Sequence, residues 1–268
     1  MRDFSLGWLG RELIPLGTNG FFPTGGRQTM TFLILEEETA LLLDAGTGMA
    51  RLLEEKLRPR LLTYDRLEIL LTHYHLDHVV GLSYLPAVWK EGPVRIHAPG
   101  PPLVDGDADA LERLVGPPLF PKELQDLPFP VEIRSYATDT LDLAGEPTRF
   151  RRQDHSGGSV GVRRRSLAYC TDCRVDEGST HFVRGVDLLL HEVWVTEGEA
   201  AAGDPRDGHS TVEEVAEVAR TAGVSRLLPI HHRPGRSDHE LLAMRRRLEE
   251  LSGAEVLEGR EGAPIELD

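Results

Sequence analysis

The sequence predicts an α/β protein, and three observations predict it. Short apolar runs of strand length recur along the chain, as in Leu67-Glu68-Ile69-Leu70-Leu71 and Leu167-Ala168-Tyr169-Cys170. Helical patterns stand between and after them, most clearly the amphipathic Val212 to Ala222 and the charged stretch Asp238 to Leu251. The apolar runs also keep ending in His or Asp. With 268 residues, 40% of them hydrophobic, the chain can bury a large core, and 1–268 reads as a single domain.

Taken in order, Glu12 to Leu16 and Met30 to Leu43 read as early strands, the latter a pair joined at Glu36-Glu37-Glu38. Asp44-Ala45-Gly46-Thr47-Gly48 ends a strand and opens a helix. It is either a wall of a site, because glycine permits close approach of backbone, or an ordinary strand-to-helix turn.

The strand at Leu67 to Leu71 leads into Thr72-His73-Tyr74-His75-Leu76-Asp77-His78. Side chains at i and i+2 of extended backbone point the same way, so His73 and His75 can grip one ion. Asp77 and His78 fall where a helix-like pattern begins and can turn toward a second. Imidazole with carboxylate suits zinc, and also iron or manganese. Seven residues cannot saturate two ions, so further ligands are expected downstream.

A strand at Val94 to Ala98 is followed by a Pro- and Asp-rich section from Pro99 to Pro130, with a short helix near Ala108 to Val115 and with Phe120 and Phe129 as its notable aromatics. It reads equally as a lid or as a surface insertion. Arg149 to Asp154 runs as a strand into His155 and a Gly-rich turn, and another strand starts at Val160. Leu167 to Asp172 delivers an acid placed to bridge two cations. Val186 to Leu190 ends in His191-Glu192, Ser210 or Thr211 caps the helix from Val212, and Val224 to Ile230 is the final strand, delivering His231. His97, His181, His191, His232 and His239 are assigned no role.

Composition excludes several classes. A net charge of −14 disfavours loose attachment to nucleic acid or anionic lipid. The start, Met1 to Gly7, lacks a signal-peptide pattern and no stretch is long enough to span a bilayer, which predicts a cytoplasmic protein without membrane contact. The two cysteines, Cys170 and Cys173, give no disulfide framework and read as strand-end residues flanking Asp172. Arg149, Arg151, Arg152, Arg163, Arg164 and Arg165 flank His155 and read either as the solvated faces of a hairpin or as a second anion site.

Together, His73-x-His75-x-Asp77-His78, His155, Asp172 and His231 resemble the metallo-β-lactamase superfamily over nearly the whole chain. The resemblance implies a four-layer αββα sandwich with the site at the sheet edges. It implies two divalent metal ions, one on His73, His75 and His155, the other on Asp77, His78 and His231, with Asp172 between them. Asp172 in place of cysteine departs from the β-lactam-hydrolysing branch, and His75 in place of glutamate departs from the flavodiiron oxygen reductases. Gly208-His209-Ser210-Thr211 before Pro229-Ile230-His231 resembles the ribonuclease Z group and its phosphodiesterase relatives. The interval from His155 to Asp172 is too short for the arm with which the tRNA-processing enzymes clamp tRNA, which makes tRNA an unexpected substrate.

The expected chemistry is hydrolysis, because a water shared by cations about 3.5–4 Å apart loses its proton near neutrality. Asp77 would help hold that nucleophile and His209 would protonate a leaving alkoxide, with Glu192 either orienting His209 or lying on the surface. The expected substrate is a small or cyclic phosphodiester or short nucleic acid. A carboxylic-ester, thioester or lactone hydrolase is the alternative, and a non-catalytic metal-stabilised protein is the third class. Relatives in the group also often pair as homodimers.

Overall fold

The computed structural model describes residues 11–267 apart from 37, 204, 205 and 207. The reading of Met1 to Gly7 therefore lies outside the described residues. In chain order the first sheet takes β1 (Arg11–Gly17), β2 (Thr31–Leu35), β3 (Ala40–Leu43), β4 (Leu67–Leu70), β5 (Val94–Pro99) and β6 (Val131–Tyr136). The second takes β7 (Thr140–Leu143), β8 (Glu146–Gln153), β9 (Ser159–Arg164), β10 (Leu167–Cys170), β11 (Leu188–Glu192), β12 (Arg226–Ile230) and β13 (Glu255–Val256). A last strand, β14 (Ile265–Leu267), returns to the first sheet beside β1. Val224 to Ile230 is thus not the final strand. β13 and β14 are too short for a periodicity to show in sequence, and they form because open sheet edges are there to pair with.

Both sheets are mixed. β1, β2 and β3 pair antiparallel and β3 to β6 parallel, while β7 to β10 pair antiparallel and β10 to β13 parallel. The parallel strands read as continuous apolar runs because both of their faces are covered. In β11, Leu188 and Leu190 enter the core between the sheets with Phe32, Val162 and Ile230, while Leu189 enters an outer core with Val215, Ala219 and Leu248. The outer face of the first sheet buries Ile69 and Ile96 against Met49, Leu52 and Leu85. Helix, sheet, sheet and helix therefore stack as the four expected layers. Burying each such aliphatic side chain contributes about 1.5–3 kcal/mol.

Helix Val212–Ala222 starts at Thr211, whose side chain accepts from the Glu214 N–H while Glu214 accepts from the Thr211 N–H. It stops at Gly223, with φ of 70°. This reciprocal cap fixes the helix start directly after His209, so local sequence sets the position of a site residue. Among the described residues no helix is long and apolar enough to cross a membrane.

Candidate active site

The carboxyl ends of the strands deliver the site. β4 leads to His73 and His75, and His75, itself extended, precedes the single-turn helix Leu76–Val79 that carries Asp77 and His78. β8 leads to His155, β10 to Asp172, β11 ends on Glu192, and β12 leads to His231. His73, His75, His155 and Asp172 each offer a ligand atom within 4.8 Å of the others, and so do Asp77, His78 and His231. A third such group is Asp172, His209 and His231. All eight residues singled out in the sequence thus converge on one place.

Asp172 stands at the centre. Its carboxylate lies 3.0 Å from His78 Nε2, 3.2 Å from His231 Nε2, 3.6 Å from His155 Nε2 and 3.8 Å from His73 Nε2. Burial opposes its ionisation, but His231, His78 and His73 outweigh it and hold the carboxyl well below the usual range. Burial likewise keeps His73 low and pushes His155 down to about 4, so both rings are neutral, the form that lends a lone pair to a cation. Around His78 burial is overcome by Asp172, Asp77 and Asp44, which together favour positive charge at that point.

Fit to a metal can be judged from the nitrogens. His73 Nε2, His78 Nε2 and His231 Nε2 are buried without a hydrogen-bond partner, a state that costs about 1–3 kcal/mol for a polar atom. They are also the atoms that face Asp172. The opposite nitrogens of two rings are held from behind, with Thr72 Oγ1 3.1 Å from His73 Nδ1 and Asp44 Oδ2 2.8 Å from His78 Nδ1. Outer partners of this kind orient imidazole ligands. The donor set therefore fits two cations with one shared carboxylate.

Asp44, which the sequence places only in a turn that could wall the site, has a bonding role that the sequence did not show. It is fully buried and also accepts from the Thr72 N–H at 2.7 Å and the Tyr169 hydroxyl at 2.7 Å. The signal was present, since Ala40 to Leu43 delivers an acid to a strand end in the same manner as Leu167 to Cys170. The following turn is a wall of the site. A Cβ on Gly46 would lie 2.1 Å from the Asp77 carbonyl oxygen, so only glycine allows this approach. Six non-glycine residues among those described have positive φ, and Phe21, Asp44, Asp172 and His231 are four of them. Backbone strain concentrated in this way is characteristic of functional sites.

Glu192 is wholly buried, so the surface reading of that residue is set aside. Its Oε2 lies 2.9 Å from His209 Nδ1, and the His209 ring stacks on Trp194 at 4.3 Å between centroids. Arg164 bonds Glu36, Arg165 bonds Glu146, Arg151 bonds Asp176, and Arg152 reaches Asp105 at 3.1 Å, so these arginines bind the fold together instead of forming one anion site. The segment after Pro99 is pinned, with the Asp105 N–H donating to the Gly157 carbonyl at 2.8 Å, Phe129 buried and Phe120 packed on the core. Cys170 ends β10 and Cys173 follows it, on either side of Asp172, and both are buried and free.

A profile described as "Beta-lactamase superfamily domain" matches residues 39–232. The chain belongs to the metallo-β-lactamase superfamily. As a member of that superfamily it is a metal-dependent hydrolase. Among curated relatives it is similar to ribonuclease Z of Metallosphaera sedula, 29% identical with 88% of this chain and 94% of that one covered. It is also similar to ribonuclease Z of Methanopyrus kandleri, 30% identical with 82% of this chain and 87% of that one covered. Among solved structures, the metallo-beta-lactamase fold protein YhfI of Bacillus subtilis superposes with a TM-score of 0.72 at 19% identity, covering 96% of this chain and 99% of that one.

Proposed function

We propose that this hydrolase is a phosphodiesterase with two divalent cations, zinc first, and with manganese or iron also suited to the donors. His73, His75 and His155 would hold one cation, Asp77, His78 and His231 the other, and Asp172 would be shared between them. When bound, the cations supply Lewis acidity toward phosphoryl oxygens and acidify a water toward neutrality. The reading takes 1–268 as one domain, places it in the cytoplasm, and is compatible with a homodimer.

The observation that carries it is the buried Glu192–His209 pair. The Glu192 carboxylate 2.9 Å from Nδ1 holds the ring in place, and His209 offers a ring nitrogen within 4.8 Å of ligand atoms of Asp172 and His231. A proton donor held there suits the departure of an alkoxide from phosphorus. A carboxylic ester, thioester or lactone, whose carbonyl accepts the nucleophile first, needs that donor less. Asp77 is fixed for its part by the Phe21 N–H, which donates to Oδ2 at 2.7 Å.

The substrate proposed is a small or cyclic phosphodiester or short nucleic acid. The names of the ribonuclease Z relatives agree with phosphodiester chemistry. tRNA is not part of the reading, because β9 and β10 form a tight hairpin between His155 and Asp172. The test is turnover of bis(p-nitrophenyl) phosphate beside a p-nitrophenyl ester and a thioester, on protein of assayed metal content with Asp172→Ala as control. Metal-dependent phosphodiester cleavage that the control loses is expected; ester or thioester cleavage alone would promote the alternative.

A further inference from the structure

We infer that Phe21 and Phe22 form a stacking platform at the mouth of the site for a planar aromatic ring carried by the substrate, an inference that rests on the phosphodiesterase reading. Three of the six exposed large hydrophobic side chains among the described residues are Phe21 at 72%, Phe22 at 46% and Leu76 at 62%. Leu76 lies between His75 and Asp77 in sequence, and Phe21 is bonded to Asp77 through its backbone. Apolar side chains placed around a polar site have a use in binding there, whereas scattered ones do not require one.

The backbone shows that this exposure is built. Phe21 has a φ of 62°, and an aromatic residue in the left-handed region is an outlier that persists only where the surroundings over-determine it. They do so here. The Asn19 N–H donates to the Gln28 carbonyl at 2.9 Å, the Gly20 N–H donates to the His232 carbonyl at 3.0 Å, and the Asn19 amide donates to Thr24 Oγ1 at 3.0 Å. The Phe21 N–H completes the set on Asp77. The ring is thereby turned outward, with Phe22 edge-on at 5.1 Å between centroids.

Charge gives the platform a reason. A net charge of −14 does not draw an anionic substrate in. The arginines nearest His155 in sequence are engaged with Asp176 and Asp105. Stacking on an exposed aromatic is insensitive to that field and accepts any base or aryl face.

Three phosphodiesters with the same p-nitrophenolate leaving group test it on metal-loaded protein: thymidine 5′-(p-nitrophenyl phosphate), bis(p-nitrophenyl) phosphate and methyl p-nitrophenyl phosphate. In Phe21→Ala/Phe22→Ala the kcat/KM of an ester with a ring on the group retained after cleavage, relative to the methyl ester, whose only ring is the leaving group common to all three, is expected to fall about tenfold, and Phe21→Tyr is expected to preserve it. A fall for the thymidine ester alone identifies a nucleobase, and a fall for both identifies any aryl ring. Calorimetric binding of thymidine 5′-monophosphate against methyl phosphate reads the same contact without turnover, with the Kd of the first expected to rise about tenfold. Unchanged ratios with unchanged binding overturn the inference, as does a shift from dimer to monomer on sedimentation, which would make the pair an interface between copies. No hydrolysis of any of the three esters by unaltered protein sinks the phosphodiesterase reading instead, and the binding titration then decides the platform by itself.

Discussion

Asp44 Oδ2 lies 2.8 Å from His78 Nδ1, with both side chains wholly buried. The same carboxylate takes hydrogen bonds from the Thr72 backbone and hydroxyl and from Tyr169, which joins the first sheet to the second behind the site. His78 is thereby turned so that Nε2 faces Asp172 at 3.0 Å. Asp44→Asn removes a charge that favours His78 as a donor and is expected to weaken metal binding about 10- to 100-fold. Chelator competition measures this, and an unaltered affinity would show that Asp44 serves packing alone.

The pairing of Glu192 with His209 predicts a dependence on the leaving group. His209→Ala should lower turnover of an alkyl phosphodiester about 10²- to 10⁴-fold while sparing p-nitrophenyl esters, whose leaving group needs no proton. Glu192→Gln should follow in the same direction with a smaller effect. Equal losses for both kinds of ester would count against proton donation by His209.

Gly20 supports His231 by having no side chain. A Cβ there would lie 2.4 Å from His231 Cε1, inside any real contact, so Gly20→Ala must displace the ring or the loop. A ligand moved by a fraction of an ångström to one ångström costs up to about 100-fold in activity. The expected result is reduced metal content and activity with the thermal midpoint little changed; full metal content at full activity would refute it.

Stability in acid should track Glu199. Its hydrogen bond to Arg236 holds the carboxyl down to about 2, from a usual 4.5. A depressed folded-state pKa contributes stability that is present above about pH 4.5 and lost as pH falls toward about 2. Solvent screening of this partly exposed pair keeps the effect to about 1 kcal/mol or less. Glu199→Gln should flatten the denaturation profile in that window only, and an unchanged slope there would dismiss the contribution.

Much of the site was legible because its residues sit in sequence where buried strands stop. An apolar run has to end where backbone leaves the sheet, and polar side chains at that point face a common edge. Leu67 to Leu70 announced His73 and His75, and Leu167 to Cys170 announced Asp172, in this way. Thr211 and Glu214 likewise fixed the helix start after His209 through a purely local cap. The Pro99 to Pro130 section stayed ambiguous because turn-rich sequence has no period, and only its bonds to Gly157 and the burial of Phe129 settle that it is pinned in place.

By itself, then, the sequence determined the α/β class, the order of the strands that lead into the site and the identity of the clustered His and Asp residues, because hydrophobic period and capping act over a few residues, while the four layers were implied by the resemblance to a family. Tertiary structure alone decided the two short strands β13 and β14, the burial of Glu192 beneath His209, the reach of Asp44 to His78, and the outward turn of Phe21 over Asp77. Each of these depends on atoms far apart in the chain meeting at one point, and no local pattern records where distant segments will meet.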